Sequence, residues 1–196
     1  QGYNIDNFDL PRVIERAEEN AGKSKFEQAA LCGWGRVPAI ESESKRLSPD
    51  RATNRVWRLT GRIPMDAWWQ VRQTLRPERE SLRFVANMLW PEAEDKQKLD
   101  IDASKMDEEW AARPDKVMEY CVRDTHLPLD ILGHLQSVER KEALAAVANT
   151  TVETAAAGTT SQWIDSLVIR LADRENIAVP MTKSGPRRRD QIAGGY

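Results

Sequence analysis

Apolar residues recur at helical spacing along most of this chain and alternate along one short segment. The helical spacing predicts helices over 10–19, 67–74, 78–89, 114–138, 139–157 and 161–175. Alternation from Arg55 to Asp66, interrupted by Gly61, predicts a strand pair or a bent strand. Pro128 should kink or break the helix around it, because proline lacks a backbone donor and clashes with the preceding turn. The pattern therefore predicts a chain that combines helices with a small β segment.

Other stretches lack this periodicity. Residues 33–54 are rich in Gly, Pro, Ser and charge, which predicts a loop or an irregular hairpin. Residues 99–105 are polar and predict a connector, and the chain beyond Val179 is extended and basic. Asp6 or Asn7 is the expected N-cap of the first helix.

Composition limits the class of protein. The chain has 196 residues, of which 40% are hydrophobic and 31% charged, enough for a packed core. A net charge of -2 argues against a wholly basic nucleic-acid binder, although a local basic strip remains compatible with a nucleic-acid enzyme. Cys32 and Cys121 have no metal-type spacing, and we expect reduced, buried thiols. No stretch approaches the ~18 apolar residues of a membrane span, so we expect a soluble, cytoplasmic protein.

Two small groups of residues are candidates for chemistry. Asn4, Phe8 and Asp9 lie at the start of the first predicted helix, where an Asn or Asp is most often a cap. Tyr120 and Asp124 are spaced i and i+4, so both lie on one helix face at roughly 6 Å separation. Taken separately, each group has an ordinary structural interpretation.

Taken together, the two groups resemble two motifs of the proofreading exonuclease domain in family B DNA polymerases. Asn4, Phe8 and Asp9 match the second motif, Asn-x-x-x-Phe/Tyr-Asp, and Tyr120 and Asp124 match the third, Tyr-x-x-x-Asp. The two motifs lie about 115 residues apart and occur in the family's order.

Flanking segments extend the resemblance over essentially the whole chain. Three segments are similar in sequence to the archaeal branch of the family: residues 2–9, 61–66 and 119–124. Gly194-Gly195-Tyr196 is similar to the segment that links the exonuclease and polymerase parts, although Ile192 stands where a Tyr is usual.

The resemblance implies an α/β, RNase H-like (DEDD) exonuclease fold, truncated at its N-terminus and followed by a helical connector. Residues 1–138 would form the partial 3′–5′ exonuclease domain, and residues 139–196 the connector and the start of the polymerase palm. The parent would be a prokaryotic, archaeal-type DNA-directed DNA polymerase, a nucleotidyltransferase that also hydrolyses the 3′-terminal nucleotide of DNA during replication. A non-catalytic exonuclease-like domain that binds DNA or partner proteins is the alternative.

The resemblance also implies roles for individual residues. Asp9 and Asp124 would bind Mg²⁺ or Mn²⁺ in a two-metal site, and Tyr120 would orient the attacking water. Asn4 and Phe8 would position the 3′-terminal nucleotide of the primer. The remaining DNA contacts would go to single-stranded template through Lys183, Arg187, Arg188, Arg189, Gly194 and Gly195. The other expected partners are the rest of the polymerase chain and a sliding clamp. The alternative interpretation of the basic strip, residues 183–189, is a solvated linker.

One departure bears on activity. The family's first motif, Asp-x-Glu on a buried strand, is missing, and the acidic runs 100–102 and 107–109 are poor substitutes because neither follows such a strand. We therefore expect this chain to be inactive alone. Asp66 is expected to be a structural cap rather than a metal ligand, and Trp57, Trp68, Trp69 and Trp163 are expected mostly in the core.

Overall fold

The computed structural model of the chain describes residues 1–21, 24–34, 40–46, 53–96 and 101–180. These residues form nine α-helices, two strands and two short 3₁₀ helices. The helices are α1 Asp9–Ala21, α2 Lys25–Leu31, α3 Ala67–Thr74, α4 Leu82–Leu89, α5 Met106–Ala112, α6 Pro114–His134, α7 Ser137–Ala148, α8 Val152–Ala157 and α9 Thr160–Arg174. The strands are β1 Ile40–Arg46 and β2 Thr53–Arg58, and the 3₁₀ helices are Glu94–Lys96 and Ala103–Lys105. The described chain is thus mostly helical with few strands.

The β segment is an antiparallel pair. Ile40 lies opposite Arg58 and Arg46 opposite Thr53, and the register shifts between Ser42 and Lys45. The hairpin interpretation of residues 33–54 is therefore confirmed for the strand β1. Beyond β2 the chain reverses at Gly61, whose φ of 74° is one that glycine adopts without strain. The predicted interruption at Gly61 is therefore confirmed, and beyond it Arg62 and Asp66 form isolated bridges with Leu59 and Gly2 respectively.

Several predicted helices are confirmed, and α3 has the predicted bounds. The break expected at Pro128 is wrong, because α6 continues through this buried residue. The predicted end of that helix is also wrong. Gln136, at φ 49°, separates α6 from α7, and Asn149, also at φ 49°, separates α7 from α8. A left-handed residue interrupts the helical hydrogen-bond ladder, so one predicted helix becomes two.

Two smaller expectations also fail. Asp6 and Asn7 lie in a turn before α1 rather than at its cap. Cys32 and Cys121 are free, but Cys32 is half-buried and Cys121 exposed, since both occupy helix ends or faces turned from the core. The short helices α2 and α5 were not predicted at all.

The core lies around α6, which α3, α4, α5 and α7 contact. One cluster of buried side chains consists of Met65, Ala67, Leu132 and Ala156, and a second of Val71, Val85, Ile131 and Leu135. Tyr3 packs against both clusters, so the first residues of the chain are anchored in the core. Within the described ranges, no helix has the length and apolar character to cross a membrane.

Candidate active site

The segment from Gly2 to Asp9 forms a turn that leads directly into α1. Gly2 makes a parallel bridge with Asp66, and the Ala67 backbone N–H donates to the Gly2 carbonyl at 2.8 Å. Asn4 has a φ of 63°, a left-handed conformation that Asn tolerates better than most residues. The Phe8 N–H donates to the Asn4 carbonyl at 3.1 Å, which closes the turn. The two candidate residues Asn4 and Asp9 are thereby held at opposite ends of one tight turn.

Asp66 fixes this turn to the start of α3. Its Oδ1 accepts from the backbone N–H of Asn4 at 2.7 Å and of Trp68 at 3.0 Å. Its Oδ2 accepts from the Asp6 N–H at 3.3 Å. The expectation that Asp66 is a structural cap is confirmed, since it is the N-cap of α3. It is also a clamp, because the same carboxylate accepts from two N–H groups of the turn, which lie 62 and 60 positions away in sequence.

Asp6 is the buried acid of the turn. Only 7% of its surface is exposed, and its Oδ1 is buried with no hydrogen-bond partner among the described residues. The Trp57 indole Nε1 donates to its backbone carbonyl at 2.8 Å, which links the turn to β2. Burial, and then the charge of Asp66, raise the pKa of Asp6 to about 7. Asp6 therefore carries a proton over part of the neutral pH range.

Asp9 and Asp66 share this electrostatic environment. Burial raises the pKa of Asp66 to about 6, although its three N–H donors oppose that shift. The charge of Asp9 raises the pKa of Asp66 further, and burial raises that of Asp9 itself. Three carboxylates thus lie near one another, and of these only Asp9 is exposed.

A second hydrogen-bond network supports the same turn from the other side. The Tyr3 hydroxyl donates to the Glu80 carbonyl at 2.6 Å, and burial raises the pKa of this phenol. The Glu80 carboxylate accepts from Trp68 Nε1 at 3.1 Å and from Arg72 at 3.0 Å. The turn, α3 and the chain before α4 are therefore tied together.

The Tyr120 and Asp124 pair lies on α6, one helical turn apart as predicted. Both residues are half-buried, and the Oδ1 atom of Asp124 is buried. Phe8, by contrast, is 62% exposed beside Asp9, so its ring is accessible to a ligand. Lys183, Arg187, Arg188, Arg189, Gly194 and Gly195 lie outside the described residues.

No complete metal site is formed by the residues that the structure describes, because no three His, Cys, Asp or Glu side chains there are grouped to hold an ion. The acidic run 107–109 occupies the first turn of α5, away from any strand. His126 and His134 are exposed on α6.

The sequence did not identify Asp6 as a buried group. It lies inside the second motif, three positions before Asp9, and its polar neighbours gave it the pattern of an exposed cap. Only the contacts with Trp57 and Asp66, both distant in sequence, make it buried.

Comparison with known proteins places this arrangement in context. No protein-family model matches the chain. The DNA polymerase catalytic subunit of Epstein-Barr virus is 26% identical over 194 residues, which cover 95% of this chain and 18% of the viral protein. The DNA polymerase delta catalytic subunit of Mesocricetus auratus is 27% identical over 193 residues, covering 93% of this chain and 16% of that subunit. The delta subunit of Bos taurus is 25% identical over 189 residues, with 93% and 16% covered. The chain is therefore similar along nearly its whole length to DNA polymerase catalytic subunits, and it spans less than a fifth of the length of these relatives.

Proposed function

We propose that this chain is the part of a family B DNA polymerase that carries the second and third motifs of its 3′–5′ proofreading exonuclease. One observation carries the proposal. A match to a DNA polymerase catalytic subunit covers 95% of this chain, which carries both motifs in the family's order. The RNase H-like fold, the division at residue 138 and the archaeal affinity belong to the same proposal.

The residues of the turn bind and orient the primer end. The exposed ring of Phe8 packs against the 3′-terminal nucleotide, and Asn4 contributes its amide group beside it. Asp66 is a positioning residue, since it acts through the backbone of Asn4 and Asp6 rather than on DNA. Tyr120 holds the attacking water through its hydroxyl, one helical turn from Asp124.

Asp9 and Asp124 supply oxygen ligands of the type that Mg²⁺ or Mn²⁺ prefers. The described residues alone do not complete the ligand set, so these two carboxylates hold only part of it. When bound, such ions activate water and neutralise charge on the leaving oxygen.

The test uses the longest natural reading frame that contains this chain, so that any upstream ligands are present. Mg²⁺-dependent nucleotide release is measured from a mismatched 3′ end, together with DNA synthesis on a primed template. Asp124→Asn should lower release by on the order of 100-fold while synthesis continues. Asp115→Asn, an exposed carboxylate on the first turn of the same helix, is the matched control and should change neither rate.

The outcomes separate the candidate functions. Equal release by wild type and Asp124→Asn would remove the metal role of this residue. A protein that synthesises DNA but never releases nucleotides would favour the non-catalytic, DNA-binding alternative. Tyr120→Phe should reduce release and leave the affinity for the 3′ end unchanged, because only the hydroxyl that orients water is lost.

A further inference from the structure

A cavity of about 380 Å³ lies at the junction of α3, α7 and α9. Its volume is in the range of small-molecule sites. Among its lining residues are Trp69, Arg72, Ser137, Arg140, Lys141 and Trp163. None of these belongs to either exonuclease motif.

The charge of the cavity is one-sided. Four cationic side chains line it, and no Asp or Glu does: the cations are Arg72, Arg76, Arg140 and Lys141. Arg72 is neutralised by Glu80, which lies outside the lining at 3.0 Å. For the other three, the described part of the chain provides no carboxylate within ion-pair distance. Uncompensated positive charge of this kind attracts an anion.

Lys141 is the most unusual of these cations. It is 8% exposed, and its Nζ donates to Gln73 Oε1 at 2.7 Å and lies 4.6 Å from the centroid of the Trp163 ring. Burial, together with the nearby charge of Arg140, lowers the pKa of Lys141 to about 8. A buried ammonium without a carboxylate is expensive unless a ligand supplies the negative charge.

Trp69 and the start of α7 also line the cavity. Trp69 is 6% exposed, and its indole Nε1 is buried without a hydrogen-bond partner among the described residues. Ser137, the first residue of the twelve-residue helix α7, also lines it, and no side chain caps that helix. A helix start presents unpaired N–H groups and positive partial charge to an anion.

The remaining wall combines apolar side chains with polar ones, among them Gln70, Thr74 and Thr160. Leu135, Leu144 and the two indole rings provide a surface for a flat or aliphatic group. Gln73 Nε2 donates to the Gly158 carbonyl at 3.0 Å, which holds the segment between α8 and α9 in place. A Cβ at Gly158 would collide with the Thr154 carbonyl oxygen, so only glycine fits this corner.

We propose that this cavity binds a nucleotide, with the phosphate among Arg140, Lys141 and the start of α7 and the nucleoside against Trp69. The ligand is either a free nucleotide or one unit of a DNA strand, since both present the same phosphate and base. The site is separate from the proposed exonuclease site and holds whether or not that function does.

Isothermal titration calorimetry on the full 196-residue chain tests the proposal, with dAMP, inorganic phosphate, deoxyadenosine and a short oligothymidylate as ligands. We expect dAMP or the oligonucleotide to bind, with the stronger of the two identifying the source of the nucleotide. Deoxyadenosine, which lacks the phosphate, should bind at least about tenfold more weakly than dAMP. Added salt should weaken the binding of both anionic ligands.

Three variants locate the site. Lys141→Met keeps the length of the side chain and should weaken binding about tenfold. Arg140→Gln should have the same effect, and because Arg140 is exposed, this change should not disturb folding. Trp69→Phe removes the indole donor and should weaken binding less. Lys105→Met, an exposed cation away from the cavity, is the matched control and should leave the affinity unchanged.

Circular dichroism verifies that each variant is folded. Absence of binding by dAMP and oligonucleotide up to about 1 mM overturns the proposal. Equal affinities for wild type, Lys141→Met and Arg140→Gln overturn it as well. Loss of exonuclease activity on Asp124→Asn, with nucleotide binding intact, would separate this site from the one on α6.

Discussion

Replacing Asp6 with Asn tests the electrostatics of the turn. Asn has nearly the same shape as a protonated Asp but cannot ionise. Asp6 is 7% exposed and its pKa is raised from 3.8 to about 7, with burial as the largest cause. The folded chain therefore binds this proton more tightly than the unfolded chain does. Between about pH 4 and pH 7, stability falls as pH rises, because deprotonation leaves a charge inside the protein.

The size of the effect follows from the shift in pKa. A displacement of about three units, at about 1.4 kcal/mol per unit, corresponds to about 4 kcal/mol of destabilisation above pH 7. The neighbouring Asp66 contributes to this shift, so its own raised pKa is not added to the total. Asp6→Asn should therefore raise the free energy of unfolding by up to about 4 kcal/mol at pH 8 and change it little at pH 4.5.

Urea denaturation followed by tryptophan fluorescence measures this difference at pH 4.5, 6 and 8. Trp57 is a suitable reporter because its indole donates to the Asp6 carbonyl. Asp173→Asn, at an exposed position on α9, is the control and should show no such pH dependence. A stability difference between wild type and Asp6→Asn that is the same at pH 4.5 and pH 8 would refute the reasoning.

Three further predictions concern the clamp, the core and a helix cap. Asp66→Ala leaves one buried and two partly buried N–H groups without an acceptor and should lower the free energy of unfolding by about 3 kcal/mol at pH 8. Urea denaturation beside Asp173→Ala checks this, and a loss below about 1 kcal/mol contradicts the clamp. Ile131→Ala removes a fully buried side chain from the core and should cost about 2–5 kcal/mol in the same assay, whereas Ile164→Ala at a half-exposed position should cost far less. Thr151→Ala removes the N-cap of α8 and should cost about 1 kcal/mol in thermal denaturation, with Thr151→Ser restoring most of it; an unchanged melting temperature in the Ala variant would rule out the cap.

The local part of the fold was predictable from the sequence. The bounds of α3 follow from Asp66, an N-cap residue, and from the apolar spacing behind it. The junctions at Gln136 and Asn149 were not predictable in this way, because neither is a glycine and a left-handed φ at such residues depends on how the flanking helices pack. At Pro128 the sequence predicted a break that the structure lacks. The buried face of α6 stabilises this helix, so it accommodates a residue that helix propensity alone disfavours.

In the candidate site, too, local motifs were predictable from the sequence and features that depend on long-range contacts were not. Asn4, Asp9, Tyr120 and Asp124 could be named from motif spacing alone, and their assignment to an exonuclease stays a prediction. The burial of Asp6 depends on contacts with segments far along the chain, so no local pattern signals it. The cavity around Lys141 is of the same kind, because its lining comes from three helices that are separate in sequence.

The contact between the turn and Asp66 has a consequence for how the chain folds. Asn4 and Asp66 are 62 positions apart, and closing a loop of that length costs about 4 kcal/mol of chain entropy before the contact contributes anything. Packing α3 on α6 closes a loop of similar length, and Tyr3 enters the same two clusters of buried side chains. We therefore expect Asn4 and Asp9 to acquire their arrangement together with the core and not from local structure alone.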